Sequence, residues 1–435
     1  MRKKQAGAFL LAATLIFGVR QVGRAQSPAT VAARNPVTFT KDVAPIFQKA
    51  CQNCHRPDSI APMSLLTWKD ARPWAKSIKQ KVALREMPPW FIDKNVGIRS
   101  FKDDPSLTDK EIATISAWAD AGAPEGIAAD LPPARKFESA DEWHIGKPDL
   151  IVSMPVAFTV KPENSDWWGN FSADSGLTED RYLKAVETKP SPGGGIKVVH
   201  HAVTSLVYDD GSAGGGTLNE YAVGKNGDIY PEGSGKLIKA GAKINFNMHY
   251  HAIGKPITDQ TQVAFVFYPK GYVPGHVMNT LLTPMNDDLD IPAGADNVRS
   301  DAYFKLEKPA RLTSYMPHMH NRGKAQCLEA IYPNMTTETL NCVSRYNFGW
   351  QIVYNYAENV APLLPAGTIM HTISWHDNSA KNQWNPDPRN WVGFGNRTSD
   401  DMARSWLNYY YMGDEEFRAE VSARRAGKAV LSSQR

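Results

Sequence analysis

Ile196–Val207 has the sequence IKVVHHAVTSLV, a short run dominated by β-branched and other apolar residues, and a glycine-rich stretch follows it. This composition is typical of a β-strand that ends in a turn. The long C-terminal region contains further runs of this kind between clusters of Gly, Pro, Asn and Asp: Lys243–Ala252, Gln262–Tyr268, Arg311–His320, Leu328–Tyr332 and Thr368–Trp375. Short strands separated by turn residues predict an all-β sandwich architecture for this region.

The N-terminal part of the chain, residues 36–125, contains the motif Cys51-Gln-Asn-Cys54-His55. Two cysteines at this spacing can form thioether bonds to a porphyrin, and the histidine that follows can bring its imidazole to the iron. The motif therefore predicts one covalently attached c-type haem. A redox dithiol or half of a zinc site is the alternative interpretation, but no second CxxC pair occurs in the chain.

A capped helix is predicted after this motif. Thr108 and Glu111 form a capping box, Leu107 can pack against Ile112, and Gly122 is suited to end the helix. The residues before the motif also have helical spacing and form one apolar face: Val43, Ile46, Phe47 and Ala50. A helix that leads into CxxCH, with a second helix later in the segment, resembles a small all-α monohaem cytochrome c.

The sixth ligand of the haem iron should come from the loop between these helices. Met87, in the sequence Arg85-Glu-Met-Pro-Pro-Trp90, is the first candidate, because two prolines stiffen the backbone that would present its thioether. Met63 is the rival, although it follows His55 closely and has less loop in which to cross the porphyrin. Either methionine could instead be an ordinary core residue.

The first residues of the chain predict export. Basic residues at positions 2–4 precede the apolar run Ala6–Val19, and Ala25 offers a cleavage position before Gln26. This pattern is typical of a secretory signal peptide, here 1–25, and predicts a periplasmic or secreted protein. An uncleaved anchor is the alternative. No later segment is long and apolar enough to span a bilayer, so we expect no stable membrane span.

Length and charge narrow the remaining possibilities. A chain of 435 residues is long enough for several domains, and 42% hydrophobic with 22% charged residues is typical of a soluble globular protein. The formal net charge of +4 comes largely from the five basic residues within 1–25, without which 44 Lys and Arg face 45 Asp and Glu. This balance gives no reason to expect nucleic acid as a partner.

Outside the haem motif, the cysteines are Cys327 and Cys342. Cysteines of an exported protein meet an oxidising environment, in which a disulfide is the usual fate of such a pair. We therefore predict a disulfide between them.

Histidine pairs in the β-rich region predict metal binding. His318 and His320, like His249 and His251, are two residues apart and would point to the same face of a strand. The adjacent His200-His201 would face opposite sides, so joint ligation needs a β-bulge or a strand end. Imidazole-rich sites suit copper or zinc, and a thioether partner favours copper. Each pair alone could be a hydrogen-bonded surface or core feature.

From about residue 150 to 420, the motifs resemble those of the copper type II, ascorbate-dependent monooxygenases, which include dopamine β-monooxygenase and the peptidylglycine α-hydroxylating monooxygenase. The resemblance implies two β-sandwich domains, here 150–285 and 286–420, with one copper ion each and a solvent-filled cleft between them. A linker, 126–149, would join them to the haem domain. The predicted fold class is thus multidomain: a small all-α cytochrome c domain followed by two all-β jelly-roll-like sandwich domains.

The resemblance assigns six copper ligands. His200 and His201 match the family's His-His pair and His249 its third histidine, so these three residues would hold the electron-transfer copper. In the oxygen-binding site, His318 and His320 match the His-x-His pair. Met402 matches the methionine that follows acidic residues, which makes these three the catalytic ligands. Met412 is the rival thioether without acidic neighbours, and His251 has no family role.

The chain departs from the peptide-hydroxylating members of this family. Where those proteins hold the substrate carboxylate with an arginine, an asparagine and a tyrosine, this chain has Met316, Arg404 and Trp406. A glycine-extended peptide is therefore not the expected substrate. The family's cysteine after the methionine is Ala403 here, so the corresponding disulfide is absent.

Together these motifs predict an exported monooxygenase with one haem c and two copper ions. It would hydroxylate a C–H bond of an unidentified small substrate with dioxygen. Electrons would arrive through the haem from a redox protein or an ascorbate-like reductant. The alternatives are a non-catalytic electron-transfer protein with the same metal ions, and a haem protein whose β region binds carbohydrate or another protein.

Overall fold

The fold is described from a computed structural model. It covers residues 36–57, 59–137, 142–163, 166–192, 194–208, 216–222, 225, 227–283 and 288–433. The predicted signal peptide, 1–25, lies outside the described residues. From Val37 onward the chain forms one compact unit.

Helices are few and mostly short in the described part of the chain. The α-helices are α1 (Ala44–Ala50), α2 (Trp68–Ala71), α3 (Ala75–Ala83), α4 (Asp109–Asp120), α5 (Gly195–Val198) and α6 (Asp414–Ser433). Single turns of other helix types occur at Phe39–Val43, Arg72–Trp74 and Ala128–Asp130.

Strands form most of the regular structure. The first ten are β1 (Leu150–Ser153), β2 (Phe158–Val160), β3 (Trp167–Asp174), β4 (Arg181–Lys189), β5 (Val199–Val207), β6 (Thr217–Ala222), β7 (Asp228–Ile229), β8 (Ser234–Ile238), β9 (Lys243–Tyr250) and β10 (Ile257–Asp259). The others are β11 (Gln262–Phe267), β12 (His276–Leu282), β13 (Val298–Lys305), β14 (Ala310–His318), β15 (Gly323–Ile331), β16 (Thr337–Val343), β17 (Tyr354–Asn355), β18 (Leu363–Leu364), β19 (Ile369–His376) and β20 (Arg404–Tyr411). Every run of residues that was predicted as a strand overlaps one of these.

The capped helix that the sequence predicts is α4. The Thr108 hydroxyl accepts a hydrogen bond from the Glu111 backbone N–H, and the Glu111 carboxylate accepts one from the Thr108 N–H. Gly122 has a φ of 82° just beyond the helix, a conformation that glycine adopts without strain. Trp118 and Phe47 join α4 to α1 in a small apolar cluster.

The predicted separate all-α cytochrome c domain is wrong. The chain between α3 and α4 is not helical, and it packs on the β region instead of closing a helical core. Ile92 belongs to the same apolar cluster as Leu340 and other strand residues. Backbone N–H groups of Asp93 and Ile98 donate to the carbonyls of Cys342 and Leu340. Because these apolar residues fill the β core, the short helices do not form a distinct domain.

The region predicted as two sandwich domains contains one sheet that runs through both halves. One ten-stranded sheet has the order β1-β11-β4-β8-β12-β20-β14-β17, with β7 on β4 and β18 on β14. Its two halves meet where β8 and β12 pair in parallel, with Ser234 opposite His276. Since hydrogen bonds run across this junction, strands from both halves of the region share one sheet.

Smaller sheets cover this large sheet. The sheet β3-β9-β5-β6 packs one face on it through an apolar cluster that contains Ala202, Leu206, Phe246 and Met248. The sheet β13-β19-β15-β16 contributes to a second cluster, and β2 pairs with β10. Successive side chains of a strand point to opposite faces. The even-numbered residues of Ala202–Leu206 and Ile244–Tyr250 therefore face the core, and His201 and His249 lie on the other face.

Two further sequence predictions concern single features. Cys327 and Cys342 are directly opposite each other on β15 and β16, are joined as a disulfide, and have Cα atoms 4.1 Å apart. Among the described residues, no helix combines the length and the apolar character that crossing a membrane requires.

Candidate metal centres

Three histidines meet on the face of the sheet β3-β9-β5-β6 that points away from the large sheet. Their candidate ligand atoms, one each from His200, His201 and His249, all lie within 4.8 Å of one another. The β5–β9 ladder pairs Val199 with Tyr250 and His201 with His249, so His200 is an extra residue in a β-bulge. This bulge is the irregularity that joint ligation by adjacent histidines requires, because it turns both rings toward the same side.

The ring nitrogens of this cluster are suited to bind a metal ion. Within the described structure, the buried Nδ1 atoms of His200, His201 and His249 have no hydrogen-bond partner, and neither does Nε2 of His249. Burial lowers the pKa of all three imidazoles, and that of His249 falls to about 4. The rings are therefore neutral at pH 7, and buried nitrogen lone pairs are costly to leave unpaired. A metal ion bound by three Nδ1 atoms would satisfy them.

Asp166, which the sequence analysis missed, supports this cluster. Its carboxylate lies 3.3 Å from His249 Nε2 and 2.8 Å from His251 Nδ1. The contact with His249 is an ion-pair distance without hydrogen-bond geometry, and a carboxylate beside one ring nitrogen favours a proton there and a metal ion at the other nitrogen. His251 thus lies beside the cluster and shares its supporting carboxylate. No spacing rule links residue 166 to residue 249, so only the pairing of β3 with β9 reveals the contact.

In His318 and His320 the Nδ1 atoms are hydrogen-bonded, so the Nε2 atoms are the ones left to bind a metal ion. His318 Nδ1 lies 3.1 Å from Gln351 Oε1, and His320 Nδ1 lies 3.2 Å from the Asp400 carbonyl oxygen. These acceptors keep the Nδ1 protons and leave both Nε2 atoms as candidate ligands. Both side chains are buried, with ring centroids 5.5 Å apart. Burial and the neighbouring His320 lower the pKa of His318 to about 3.

The segment that carries Met402 is tied to this pair. The β14–β20 ladder ends with His318 opposite Arg404, so His320 and Met402 each lie two residues beyond its end. The buried Asp401 carboxylate accepts hydrogen bonds from the N–H groups of His320 and Met402, which ties the two segments together. The rival, Met412, packs in the apolar cluster between β-sheets.

Asp401 is held as an anion. Burial alone would raise its pKa, but the charge and hydrogen bond of His376, together with the His320 N–H, bring the pKa down to about 2. A buried carboxylate at this point can stabilise positive charge on a nearby metal ion.

The two groups of histidines lie close together. The Phe348 ring is in contact with His200 and His320, with centroid distances of 5.5 and 5.8 Å. A second contact joins the Thr398 hydroxyl, four residues before Met402, to the Asp166 carboxylate at 3.1 Å. Both contacts link the three-histidine cluster to the segments that carry His320 and Met402.

The CxxCH segment forms a turn after α1. The N–H of His55 donates to the Cys51 carbonyl, and Cys51 and Cys54 remain free thiols. Burial raises the pKa of both thiols, that of Cys51 to about 12. His55 Nδ1 lies 3.2 Å from the Met63 carbonyl oxygen, which leaves Nε2 free. Met87 is partly buried after α3.

Comparisons with known proteins do not identify the chain. No known family matches it, and no curated protein is similar to it in sequence. The major capsid protein P2 of bacteriophage PM2 is 7% identical and has a TM-score of 0.29, covering 61% of this chain and 97% of that one. A peptide-N(4)-(N-acetyl-β-D-glucosaminyl) asparagine amidase is 9% identical with a TM-score of 0.26, and the match covers 60% of this chain and 96% of that one. An allantoicase is 12% identical with a TM-score of 0.16, and the match covers 49% of this chain and 76% of that one. Likenesses this weak carry no argument about function.

Proposed function

We propose that this protein is a copper-dependent monooxygenase that also carries a c-type haem. The observation that carries the proposal is the arrangement of ring nitrogens. One ring nitrogen each of His200, His201 and His249 lie within 4.8 Å of one another, and the Nδ1 atoms of all three are unpartnered. Hydrogen bonds at Nδ1 of His318 and His320 leave their Nε2 atoms as further candidate ligands, and Asp401 ties His320 to Met402. Imidazole ligands suit copper, and a thioether in the second site favours its reduced form.

The chain's own residues would prepare these sites. Copper, when bound, would supply one-electron chemistry and an open position for dioxygen. Asp166 holds the His249 ring, and Gln351 holds His318, so no proton need leave a ligand nitrogen when metal binds. Trp168 stacks on His249 at 4.1 Å and covers the ring from solvent. Insertion of one oxygen atom into a C–H bond would consume two electrons and two protons, and the second atom would leave as water.

The haem assignment is part of the same proposal. Reactive dithiols need a lowered thiol pKa, whereas burial raises the pKa of both Cys51 and Cys54, which favours structural thioether bonds over redox exchange. The Met63 carbonyl takes up His55 Nδ1, so Nε2 is the nitrogen that would hold a haem iron, and Met63 lies beside the other nitrogen. This placement favours Met87 as the sixth ligand. Export to the periplasm or beyond belongs to the proposal too, since haem c and the disulfide both form outside the cytoplasm.

The first test is the metal content of the protein, produced in a host that attaches haem. The proposal expects one iron and two copper ions per chain, together with dioxygen uptake linked to a hydroxylated product. Iron without copper, even after reconstitution with Cu(I), would refute it. Two copper ions without any dioxygen uptake across a substrate screen would leave a pure electron carrier.

A pair of methionine variants tests the second site. Met402→Leu should abolish oxygenation and lower the copper content to one ion, while the haem spectrum stays unchanged. Met412→Leu is the matched control, because this swap conserves volume within an apolar cluster and costs less than about 1.5 kcal/mol. Full activity in Met402→Leu would exclude this methionine as a ligand.

A further inference from the structure

Phe348 contacts both groups of candidate metal ligands. It stacks on His200 with ring planes inclined by 30°, and it meets His320 edge-on at 73°. The two imidazoles can therefore be no further apart than the two centroid distances combined. A single aromatic ring is thus enough to bridge the two groups.

The segment 346–351 is fixed under the His318–His320 turn, which gives Phe348 a defined position. The Tyr346 hydroxyl donates to the Met319 carbonyl at 2.7 Å and accepts from the Met319 N–H at 3.1 Å. At the other end, Gln351 Oε1 lies beside His318 Nδ1, and Gln351 Nε2 donates to the Phe348 carbonyl at 3.4 Å. Side chains on both sides of Phe348 are thus anchored to the histidine segment.

We propose that Phe348 is a positioning residue that sets the separation of the two histidine groups and excludes water from the space between them. The resemblance described above implies a solvent-filled cleft at this place, whereas this chain has an apolar ring in contact with a histidine of each group. The Asp166–Thr398 hydrogen bond spans the same gap and acts as a second tie. The consequence for electron exchange between the sites rests on the proposed function, but the packing itself does not.

The packing is tested first in the metal-free chain. An aromatic ring shifts the NMR signals of protons above its face and at its edge, and the chain has 11 histidines to label selectively. Phe348→Leu should move the ring signals of both His200 and His320 most and leave histidines outside the two groups in place. Trp350→Leu is the control, since Trp350 lies in the same segment but packs against the second apolar cluster. Unchanged His200 and His320 signals in Phe348→Leu would overturn the proposal.

The separation is tested in the protein loaded with Cu(II). Dipolar broadening of the EPR spectrum depends steeply on the distance between two spins. With both ions still bound, Phe348→Ala should reduce the mean dipolar broadening and widen its distribution, because the distance between the ions becomes longer and less uniform. Thr398→Val should have the same effect to a smaller extent. An unchanged EPR spectrum in Phe348→Ala would overturn the proposal, because a cavity there would then leave the sites in place. If the parent protein binds no copper, the proposed function fails, while the NMR measurement still decides the role of Phe348.

Discussion

At the scale of single residues, the free ring nitrogen defines each histidine's role. His200, His201 and His249 have unpartnered Nδ1 atoms, whereas His318 and His320 use Nδ1 for hydrogen bonds. An imidazole can bind a metal ion only through the nitrogen that lacks a proton. The neighbours that hold the proton are therefore as important for the site as the histidines themselves.

Asp166 offers a direct test of this argument. Asp166→Asn removes the charge beside His249 and should weaken copper binding at the three-histidine site about 10- to 100-fold. Competition with a Cu(I) chelator measures the affinity. Asp174→Asn is the control, because Asp174 is exposed at the far end of the same strand and bonds only to the local Gly176 N–H. Equal affinities in the parent and Asp166→Asn would rule out a supporting role for this carboxylate.

The histidines also predict a dependence of stability on pH. Burial lowers the pKa of His249 from 6.5 to about 4, so the unfolded chain takes up a proton at a higher pH than the folded chain. Between these values the unfolded state holds more protons, and the free energy of unfolding of the metal-free protein should fall as the pH falls. The contribution of His249 is at most about 3 kcal/mol. Urea unfolding at pH 7 and pH 4 should show a smaller loss for His249→Gln than for the parent, and equal losses would contradict the prediction.

At the scale of elements, strand irregularities and cross-links position the sites. The bulge at His200 turns two adjacent rings to one face, and β15 begins three residues after His320. The Cys327–Cys342 disulfide joins β15 to β16 directly behind this turn. The stability of the β15–β16 hairpin should therefore affect the position of the His318–His320 segment.

Removal of the disulfide tests how much this cross-link stabilises the folded chain. Cys327 and Cys342 enclose 15 residues, and a cross-link over such a loop stabilises the folded state by about 3 kcal/mol. The double variant Cys327→Ala, Cys342→Ala should lose about this much stability in urea unfolding and leave the haem cysteines intact. Unchanged stability would show that the β15–β16 ladder needs no cross-link.

The strand runs and the capped helix could be predicted because apolar patterning and capping are local properties of the sequence. Thr108 and Glu111 lie only three residues apart in the capping box. The alternation of buried and less buried residues after His201 is likewise local, because it involves neighbouring residues of one strand. Asp166 and Phe348 could not be predicted, since their contacts with histidines join parts of the chain that only the sheet topology brings together. The separate all-α domain was wrong for a related reason: no local pattern reports that Ile92 packs against strand residues.

At the scale of the whole molecule, aromatic residues attach the segment 37–125, here called the haem segment for its proposed cofactor, to the β region. Trp90, three residues after Met87, packs on Tyr354 at 4.8 Å and on Phe101 at 5.9 Å. Tyr354 in turn contacts Tyr315 at 6.3 Å, and Tyr315 lies on β14 three residues before His318. The candidate haem ligand and the candidate oxygen site are therefore connected through one packed cluster, which makes their relative position a property of the core.

Trp90→Ala should loosen this attachment. Loss of a packed tryptophan costs about 3 kcal/mol, and here the loss falls on the contact between the haem segment and the strands. In the parent, unfolding followed by haem absorbance and by near-ultraviolet circular dichroism should coincide, because residues from Val37 onward form one compact unit. In Trp90→Ala the haem signal should change at a lower urea concentration than the signal of the β region.

Trp74→Ala separates this effect from the mere loss of a tryptophan. Trp74 belongs to the same N-terminal segment but is 45% exposed, so its removal should leave the two transitions together. Two transitions in both variants would mean that the haem segment is only loosely attached in the parent. Coincident transitions in Trp90→Ala would mean that the backbone hydrogen bonds of Asp93 and Ile98 with the strands hold the segment without the aromatic cluster.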